Sequence, residues 1–478
     1  MNENGTNSRW IILLATSIGG FIGSIMFTSV NVAIPSMMKA FGAEFNVIQW
    51  VVLSYLLATC TFLPIVGRLA DMLGKKSLYI AGYAIFTLGS LLCGIAPNVP
   101  SLIALRAVQG FGSAFITALG LAIITDVFPA KERGKAIGIS GSILSVGVVM
   151  GPTLGGLLAD ALSWRWVFLI AFVPGLLGMI LGLRFIPAYK RKYNQSFDFL
   201  GAGLLFVTLL SLLLALTFGQ DRGFLDGPIL ILFALSLVAG FIFVRLERRT
   251  AEPILNMTLF QNRQLSLGLI TGFITFISIS GTIFLMPFYL TNILGLSARN
   301  VGLLMSIGPI ALVICAPLAG FFADRFGERP VTVIGMLSLF IGYLMLGGIS
   351  ETTTVWEYLL RFLPVGIGMG VFQTPNNSAI MGAVDKAFSG VAGGLLALTR
   401  SLGSTAGIAV LGTLWAVRVS ARASTPIEAT EAPFDLQILG LHDLFLSIQI
   451  FTFIGLLLMI GDWVGRLRTR QKVVGATD

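Results

Sequence analysis

Two arginines lie inside long apolar segments of the sequence, where a charged side chain is costly to place. Arg106 lies a few residues into an apolar segment over residues 101–125, and Arg400 lies well inside another over residues 388–416. A cation at the centre of a bilayer costs about 2.5–3.5 kcal/mol on insertion scales, so both arginines are candidates for function. A buried guanidinium needs partners, and a bound anionic group would serve as one. The arginines predict a site for a neutral or anionic small molecule; a structural arginine that donates to backbone carbonyls is the alternative for Arg106, and a structural role is also open for Arg400.

The carboxylates are distributed differently from these two arginines. None of the 22 Asp and Glu residues lies clearly in the middle of an apolar segment. Asp126, Asp443 and Asp462 come closest, and each lies at the end of a segment. A proton carrier within a membrane is usually a desolvated carboxylate whose pKa responds to ligand binding. The sequence therefore puts proton coupling in doubt.

Several neutral polar residues also lie within apolar segments, where they are poor neighbours for lipid. We expect them to face protein or a wet cavity, and each is a candidate for lining a binding site, with simple helix packing as the alternative. These candidates are Asn31, Gln49, Tyr55, Gln109, Tyr289, Gln373, Asn376 and Asn377.

The composition defines the surroundings of these residues. The chain has 478 residues, of which 56% are hydrophobic and 11% charged, and its mean hydropathy is +0.91. Soluble domains have about a quarter of charged residues, so we expect an all-α integral membrane protein. Membrane spans need roughly 20 apolar residues. The sequence predicts fourteen of them, at 10–35, 47–70, 78–96, 101–125, 135–159, 165–186, 198–218, 228–246, 266–294, 301–322, 331–350, 355–383, 388–416 and 442–465.

The positive charges predict the orientation of the spans. Of the 31 Lys and Arg residues, 22 fall at the N-terminus, in alternate loops and at the C-terminus, whereas six fall in the opposite loops. By the positive-inside rule this ratio places both termini in the cytoplasm. The net charge of +9 is thereby explained by loop residues, and we expect no nucleic-acid partner. The Ser/Thr/Pro/Glu-rich stretch over 418–440 is interpreted as a mobile outer loop.

Three glycines recur every fourth residue in the fifth predicted span. Gly147, Gly151 and Gly155 would lie on one face of a helix. A bare glycine stripe allows a second helix to approach closely in lipid. Pro152, next to this stripe, removes one backbone donor and is expected to bend the helix. Gly156 extends the run of small residues.

An internal repeat supports the map of spans. Gly67–Lys76 follows the second span and Gly320–Arg329 follows the tenth, with Gly, Ala, Asp, Gly and a basic residue at a constant offset. Two related halves are typical of transporters. The predicted domains are therefore a six-helix bundle over 1–187, an inserted helix pair over 188–255 and a second six-helix bundle over 256–478.

These motifs resemble those of the major facilitator superfamily, and fourteen spans resemble its 14-spanner drug:proton antiporter branch. The segments Gly67–Lys76, Leu102–Ala114 and Gly147–Gly156 are similar to the loop motif, the span-four motif and the span-five antiporter motif. The resemblance implies two six-helix bundles plus two extra helices, a substrate path between the bundles and export. It also implies that the loop motifs form a cytoplasmic gate, and the gating residues would be Gly67, Asp71, Gly74, Lys75, Lys76, Arg133, Asp324 and Arg325.

Two positions depart from the pattern of that branch. An aspartate usually lies five residues before the span-one asparagine, and Met26 occupies that position before Asn31. Trp164–Phe168 resembles the motif of that branch at the start of span six, but Ala171-Phe172 stands in place of its usual asparagine. Because Met26 cannot titrate, ordinary drug:proton exchange is in doubt.

The combined interpretation is a secondary active transporter that exports amphipathic or hydrophobic small molecules by alternating access. The alternatives are a membrane sensor or scaffold that kept the fold, and an uncoupled facilitator or importer of an anionic metabolite. We expect no enzymatic activity, cofactor or metal, since His442 is the only histidine and has no metal-ligand spacing. The expected partners are a small-molecule substrate, the lipid bilayer and, as an open question, protons. The resemblance further implies a multi-pass monomer in a bacterial cytoplasmic membrane.

Overall fold

The computed structural model describes residues 3–187, 198–250, 257–384, 389–423 and 428–474. Over these residues the regular structure is helical, and fourteen helices are long and apolar enough to cross a membrane. The predicted number of spans is thereby confirmed for the described part of the chain. The side chains of Asp71 and Arg133 and the surroundings of Gly67 lie outside the described residues.

The helices follow one another along the chain with short connections. Their bounds are α1 Glu3–Phe41, α2 Phe45–Ile48, α3 Trp50–Leu73, α4 Lys75–Gly94, α5 Val99–Val127, α6 Ala130–Ala161, α7 Trp166–Leu169, α8 Phe172–Phe185, α9 Phe199–Arg222, α10 Gly227–Glu247, α11 Arg263–Phe288, α12 Ala298–Met305, α13 Ile307–Phe326, α14 Glu328–Leu346, α15 Val355–Gly382, α16 Ser389–Ala406, α17 Gly412–Ser420 and α18 Phe434–Val474. A 3₁₀ turn spans Met257–Gln261, and π-helical turns span Tyr289–Ile293 and Gly407–Leu411.

Spans are numbered one to fourteen in chain order. Span two combines α2 and α3, span six combines α7 and α8, and span ten combines α12 and α13. Span nine is α11 with the first π turn, and span thirteen is α16, the second π turn and α17. Each remaining span is a single helix.

Local sequence signals explain where several spans begin. Asn98 accepts a hydrogen bond from the backbone N–H of Ser101 (2.9 Å) and completes a capping box at the start of span four. Thr354 and Glu357 form the same arrangement at the start of span twelve. Side-chain oxygens at these positions satisfy backbone N–H groups that the helix leaves without partners.

One compact unit comprises residues 1–257, 283–306 and 408–410. Within it, span one packs along span five, and span four packs on spans two and three. Spans seven and eight form a helix pair, and span seven contacts span two. The first helix of span ten, Ala298–Met305, packs against span five.

A second compact unit comprises residues 258–282, 307–407 and 411–478. Within it, span twelve packs against span eleven and against the second helix of span ten, and span fourteen packs on span eleven. The helix Gly412–Ser420 also contacts span fourteen.

The predicted mobile loop over 418–440 is wrong in its second part. Span fourteen begins at Phe434, well before the predicted start at 442. Gln437 is buried and donates hydrogen bonds to the carbonyls of Thr430 (3.2 Å) and Ala432 (2.8 Å), and its own carbonyl accepts from Trp415 Nε1 (3.1 Å). These hydrogen bonds anchor the approach to span fourteen, a pattern that composition alone does not indicate.

Candidate functional site

One face of span nine in the second unit collects several predicted site residues. Gly268, Gly272 and Phe276 recur every fourth residue and therefore share a helix face. Asn376 Nδ2 of span twelve donates to the Gly268 carbonyl at 3.1 Å. A Cβ on Gly272 would lie 3.6 Å from Asn376 Nδ2 and 3.7 Å from Thr399 Cγ2 of span thirteen. A Cβ on Gly268 would lie 2.6 Å from Ile380 Cγ1, so Gly268 allows span twelve to approach closely, whereas the space at Gly272 would hold a Cβ in ordinary contact.

Arg400 lies at the far end of this face. Its guanidinium is over the ring of Phe276, with Cζ 5.2 Å from the ring centroid. The side chain is exposed. Within the described part of the chain it makes this cation–π contact and no hydrogen bond or ion pair. Arg400 is nine residues beyond Val391, the start of the span, which is about 14 Å along the axis of a helix. Arg400 is therefore an exposed residue nine positions inside a 30-residue span, and no described carboxylate pairs with it.

Arg106 lies in very different surroundings in the first unit. It is 1% exposed, its Nε donates to the Val51 carbonyl at 2.8 Å, and an Nη donates to Gln109 Oε1 at 2.5 Å. The guanidinium lies 4.2 Å from the ring centroid of Tyr55, and Gln109 continues the chain by donating to Ser90 Oγ at 2.6 Å. The donors of Arg106 are thus largely used within the helix bundle. This geometry favours the structural alternative for Arg106 in the conformation described.

The other predicted binding residues differ in exposure. Asn31 is buried; its Nδ2 donates to the Phe27 carbonyl (2.6 Å), while its Oδ1 is buried and accepts no hydrogen bond in the described structure. Gln49 and Tyr289 are also buried in the first unit. Gln373 and Asn377, on span twelve, are partly exposed. Their roles in binding stay predictions.

Carboxylates with described side chains lie at the ends of spans or in the connections between them. Asp126 pairs with Lys75, Asp443 pairs with Arg418 and Arg422, and Asp462 pairs with two arginines of the second unit. Met26, at the position where the resemblance expects an acid, is fully buried. No carboxylate with a described side chain lies near the middle of a span.

The repeated loop motif has a matching backbone conformation in the two halves. Gly74 and Gly327, 253 residues apart in the sequence, have φ of 97° and 90°. Both lie between the end of one span and the start of the next. L-residues with a side chain rarely adopt this conformation, which explains the glycine at each position.

The charged contacts beside these glycines differ between the halves. Next to Gly74, Lys75 Nζ lies 2.5 Å from Asp126 Oδ2 on span four. Lys76 is partly exposed, and Asp324 and Arg325 of the second motif are exposed.

The second motif uses another ion pair, which the sequence interpretation missed. Arg329 Nε lies 2.9 Å from Asp462 Oδ2, and Arg263 Nε lies 3.1 Å from Asp462 Oδ1. Asp462, late in span fourteen, therefore joins the first turns of spans nine and eleven. The repeat carried a signal, because Arg329 occupies the position of Lys76 and basic residues follow Gly74 and Gly327 in both motifs; in the first half the ion pair is made by the neighbouring Lys75.

The glycine stripe of span five contacts span one. A Cβ on Gly147 would lie 2.8 Å from the Phe21 carbonyl oxygen, and one on Gly155 would lie 2.6 Å from that of Ser29. Gly151 faces Thr28, and its carbonyl accepts a hydrogen bond from Ser29 Oγ at 2.7 Å. The stripe thus allows backbone-level contact between the two helices.

Gly156 extends this contact to a different helix. Its Cβ position is filled by the carbonyl of Ala298, and the Cβ position of Gly302 is filled by the carbonyl of Pro152. Thr153 Oγ1 and Ser306 Oγ, one from each helix, share a hydrogen bond of 2.7 Å. Gly156 and Gly302 therefore form a close crossing of spans five and ten that the sequence interpretation did not include.

Comparison with known proteins defines the class to which this architecture belongs. The family model described as Major Facilitator Superfamily matches residues 16–408. The chain is 32% identical over 411 residues to the riboflavin transporter RibZ of Clostridioides difficile, covering 85% of this chain and 88% of that protein. It is 33% identical over 422 residues to the multidrug resistance protein Stp of Mycobacterium tuberculosis, and the match covers 88% of this chain and 78% of that protein. The chain belongs to the Major Facilitator Superfamily and is a multi-pass membrane transporter.

A solved structure supports the fold. The crystal structure of a bacterial homologue of the human lysosomal transporter Spinster, in an inward-facing and unoccupied conformation, matches with a TM-score of 0.68. The match covers 95% of this chain and 96% of that chain at 17% sequence identity. At this identity the likeness concerns the fold alone.

Proposed function

We propose that this protein exports amphipathic small molecules by alternating access and that its cargo is neutral or anionic. The observation that carries the proposal is the exposed residue Arg400 well inside span thirteen, whose guanidinium contacts the ring of Phe276 and pairs with no described carboxylate. Relatives named for multidrug resistance and for riboflavin support a small organic cargo. A cationic cargo would meet a positive charge and, among the described residues, no mid-span carboxylate.

The face around Arg400 suits an amphipathic molecule. The guanidinium supplies a fixed positive charge that pairs with a carboxylate or sulfonate, ideally through two parallel hydrogen bonds. Phe276 supplies an apolar surface beside that charge. Gln373 and Asn377, partly exposed on span twelve, supply neutral donors and acceptors. We propose Asn31, Gln49, Tyr55, Gln109, Tyr289 and Asn376 as further contacts that another conformation of the transport cycle exposes.

Of the two arginines that the sequence places inside spans, the proposal favours Arg400 as the residue that meets cargo. The donors of Arg106 already reach Val51 and Gln109, and releasing them would leave buried polar groups without partners. Arg400 makes no such hydrogen bonds in the described structure. Its interaction with an anion therefore displaces no existing contact besides the ring of Phe276.

The test uses proteoliposomes and two fluorescent dyes of similar ring size, an anionic fluorescein and a cationic rhodamine. We expect faster transport of the anionic dye, and we expect Arg400→Gln to slow it by about tenfold, the effect of losing about 1.4 kcal/mol. The matched control is Arg184→Gln, because Arg184 is also exposed over a phenylalanine ring (5.9 Å, Phe185) but lies at the end of span six. Faster transport of the cation by the wild type would overturn the proposal.

Proton coupling is tested in the same vesicles. Because Met26 replaces the acid of the branch, we propose that transport of a neutral or anionic cargo does not depend on a span-one carboxylate. Transport is measured with and without an imposed pH gradient, and the variant Met26→Asp provides the comparison. We expect the gradient to accelerate transport more in Met26→Asp than in the wild type; an equal response of both would contradict this part.

The location follows from the same interpretation. We propose a bacterial cytoplasmic membrane with both termini in the cytoplasm, supported by the clustering of Lys and Arg in alternate loops. Alkaline phosphatase, which is active only outside the cytoplasm, is fused after the last residue. An inactive fusion is expected, and an active one would reverse the orientation.

A further inference from the structure

A cavity lies between the inserted helix pair and the first helix bundle, away from Arg400 and both loop motifs. Its volume is about 340 Å³, within the range of small-molecule sites. It belongs entirely to the first compact unit. Its walls come from spans two, four and seven and include Leu57, Ala58, Ala107, Phe111, Phe206 and Leu210.

The lining of this cavity is apolar. Three phenylalanines form its aromatic wall, with the ring centroid of Phe62 at 4.6 Å from that of Phe111 and 5.3 Å from that of Phe206. Thr61 carries the one side-chain hydroxyl in the lining, and it donates to the Leu57 carbonyl at 2.7 Å. Water requires several polar partners in a cavity, so this space excludes it.

The depth of the cavity places it within the hydrocarbon of the membrane. Ala107 is eight residues beyond Val99 and Phe206 is seven beyond Phe199, which is about 10–12 Å from the helix ends at 1.5 Å per residue. Val108, part of the lining, is 47% exposed on the outside of span four. The cavity is therefore continuous with the surface that faces lipid.

We propose that this crevice holds one acyl chain of a membrane phospholipid. Apolar walls without an accessible donor or acceptor fit a hydrocarbon chain and nothing charged. An empty space of this size would deprive its walls of contact on one side, and acyl chains are the apolar molecules that surround the protein at this depth. The acyl chain fills the gap between span seven and spans two and four, and so joins the inserted helix pair to the first helix bundle.

The test uses purified full-length protein in nanodiscs that contain a phosphatidylethanolamine with a photoreactive diazirine at mid-chain. After illumination, mass spectrometry maps the adducts. We expect adducts on peptides with Leu57–Phe62 and Ala107–Phe111, and we expect Ala58→Phe, which fills the crevice, to reduce them to background. The matched control is Leu88→Phe, because Leu88 is 56% exposed on span three, outside the crevice lining.

Two further measurements keep the proposal testable. If Ala58→Phe does not yield folded protein, Ala107→Leu fills the space less drastically, and Phe206→Ala is expected to retain the adducts because it widens the crevice. Absence of adducts from the crevice peptides, or equal labelling of the filled variant and the wild type, would overturn the proposal. Loss of labelling on addition of saturating rhodamine dye would assign the crevice to cargo and would also overturn it.

Discussion

The guanidinium of Arg400 lies over the ring of Phe276, 5.2 Å from its centroid. The two residues come from spans thirteen and nine, and Asn376 of span twelve donates to the Gly268 carbonyl on the same face of span nine. A cation on an aromatic ring keeps its hydrogen-bond donors free, since the interaction uses the face of the guanidinium. The ring therefore fixes the position of the positive charge and leaves the hydrogen-bond donors of Arg400 available to a ligand.

The ring of Phe276 is predicted to support transport of anions. A cation–π contact contributes about 0.5–2 kcal/mol, so Phe276→Leu is expected to slow anionic dye by a few-fold while Phe276→Tyr preserves it. The measurement is initial dye flux in proteoliposomes. The control is Phe273→Leu, one turn away on the same span. Equal flux in Phe276→Leu and the wild type would show that the ring does not position the arginine.

The pair Lys75–Asp126 is predicted to matter for gating and little for stability. Both side chains are partly exposed, at 20% and 32%, and exposed ion pairs contribute about 0–1 kcal/mol. Lys75→Asp and Asp126→Lys should each reduce transport while melting temperatures stay close to that of the wild type. The double variant restores the opposite charges and is expected to recover part of the transport. Without recovery, the pair would not be the functional contact.

Asp71 is predicted to be required for transport, since the family resemblance assigns its carboxylate to the cytoplasmic gate. A carboxylate there can accept hydrogen bonds from a helix N-terminus when the inner side is shut. Asp71→Asn should lose transport and keep normal expression. The comparison is Asp324→Asn, the corresponding position of the second half. Wild-type flux through Asp71→Asn in proteoliposomes would contradict the gate.

Asp462 is predicted to stabilise the end of the second unit where spans nine and eleven begin. Its side chain is 9% exposed and is shared by Arg263 and Arg329. Removing the carboxylate takes this ion-pair partner from two arginines, but these are 69% and 29% exposed, so solvent screens them and the cost is about 1–2 kcal/mol, below that of a fully buried pair. Asp462→Asn should therefore lower the melting temperature clearly. Asp435→Asn, an exposed aspartate in the first turn of span fourteen, should not.

The crossing of spans five and ten is predicted to tolerate no added methyl group. A Cβ on Gly302 would occupy the space of the Pro152 carbonyl, so the helices would have to separate, and overpacking typically costs about 1–3 kcal/mol. Gly302→Ala should lower thermal stability in detergent. Gly203→Ala is the control, because its Cβ meets nothing within 4 Å and alanine favours a helix. Unchanged melting of Gly302→Ala would indicate that the crossing is looser than described.

Much of the fold was predictable from the sequence because bilayer spans have a strong physical signature. Apolar runs of about 20 residues are hard to mistake, and the fourteen spans in the described structure agree with the predicted ones to within a few residues at many ends. Span fourteen differs, since residues 434–440 were assigned to the outer loop. The hydrogen bonds of Gln437 that anchor this segment reach Thr430, Ala432 and Trp415, and the composition of the loop does not indicate these contacts.

The candidate site was predictable only in part. Residue type and depth were enough to select Arg106 and Arg400, but their surroundings depend on which helices pack beside them. Arg106 finds Val51 and Gln109, whereas Arg400 finds Phe276. The role of Asp462 was missed for the same reason, because its partners Arg263 and Arg329 are more than 130 residues away in sequence. The predicted domain boundaries and gating roles stay predictions.

The position of Arg106 has a consequence for how the chain is made. Its carbonyl partner Val51 and its aromatic partner Tyr55 are both on span two, which a ribosome completes before span four leaves it. The counterparts of this cation are therefore already in the membrane when it arrives, so that the translocon need not release an uncompensated charge into lipid. In a permuted chain with the order of these two spans reversed, Arg106 would enter the membrane before its partners Val51 and Tyr55.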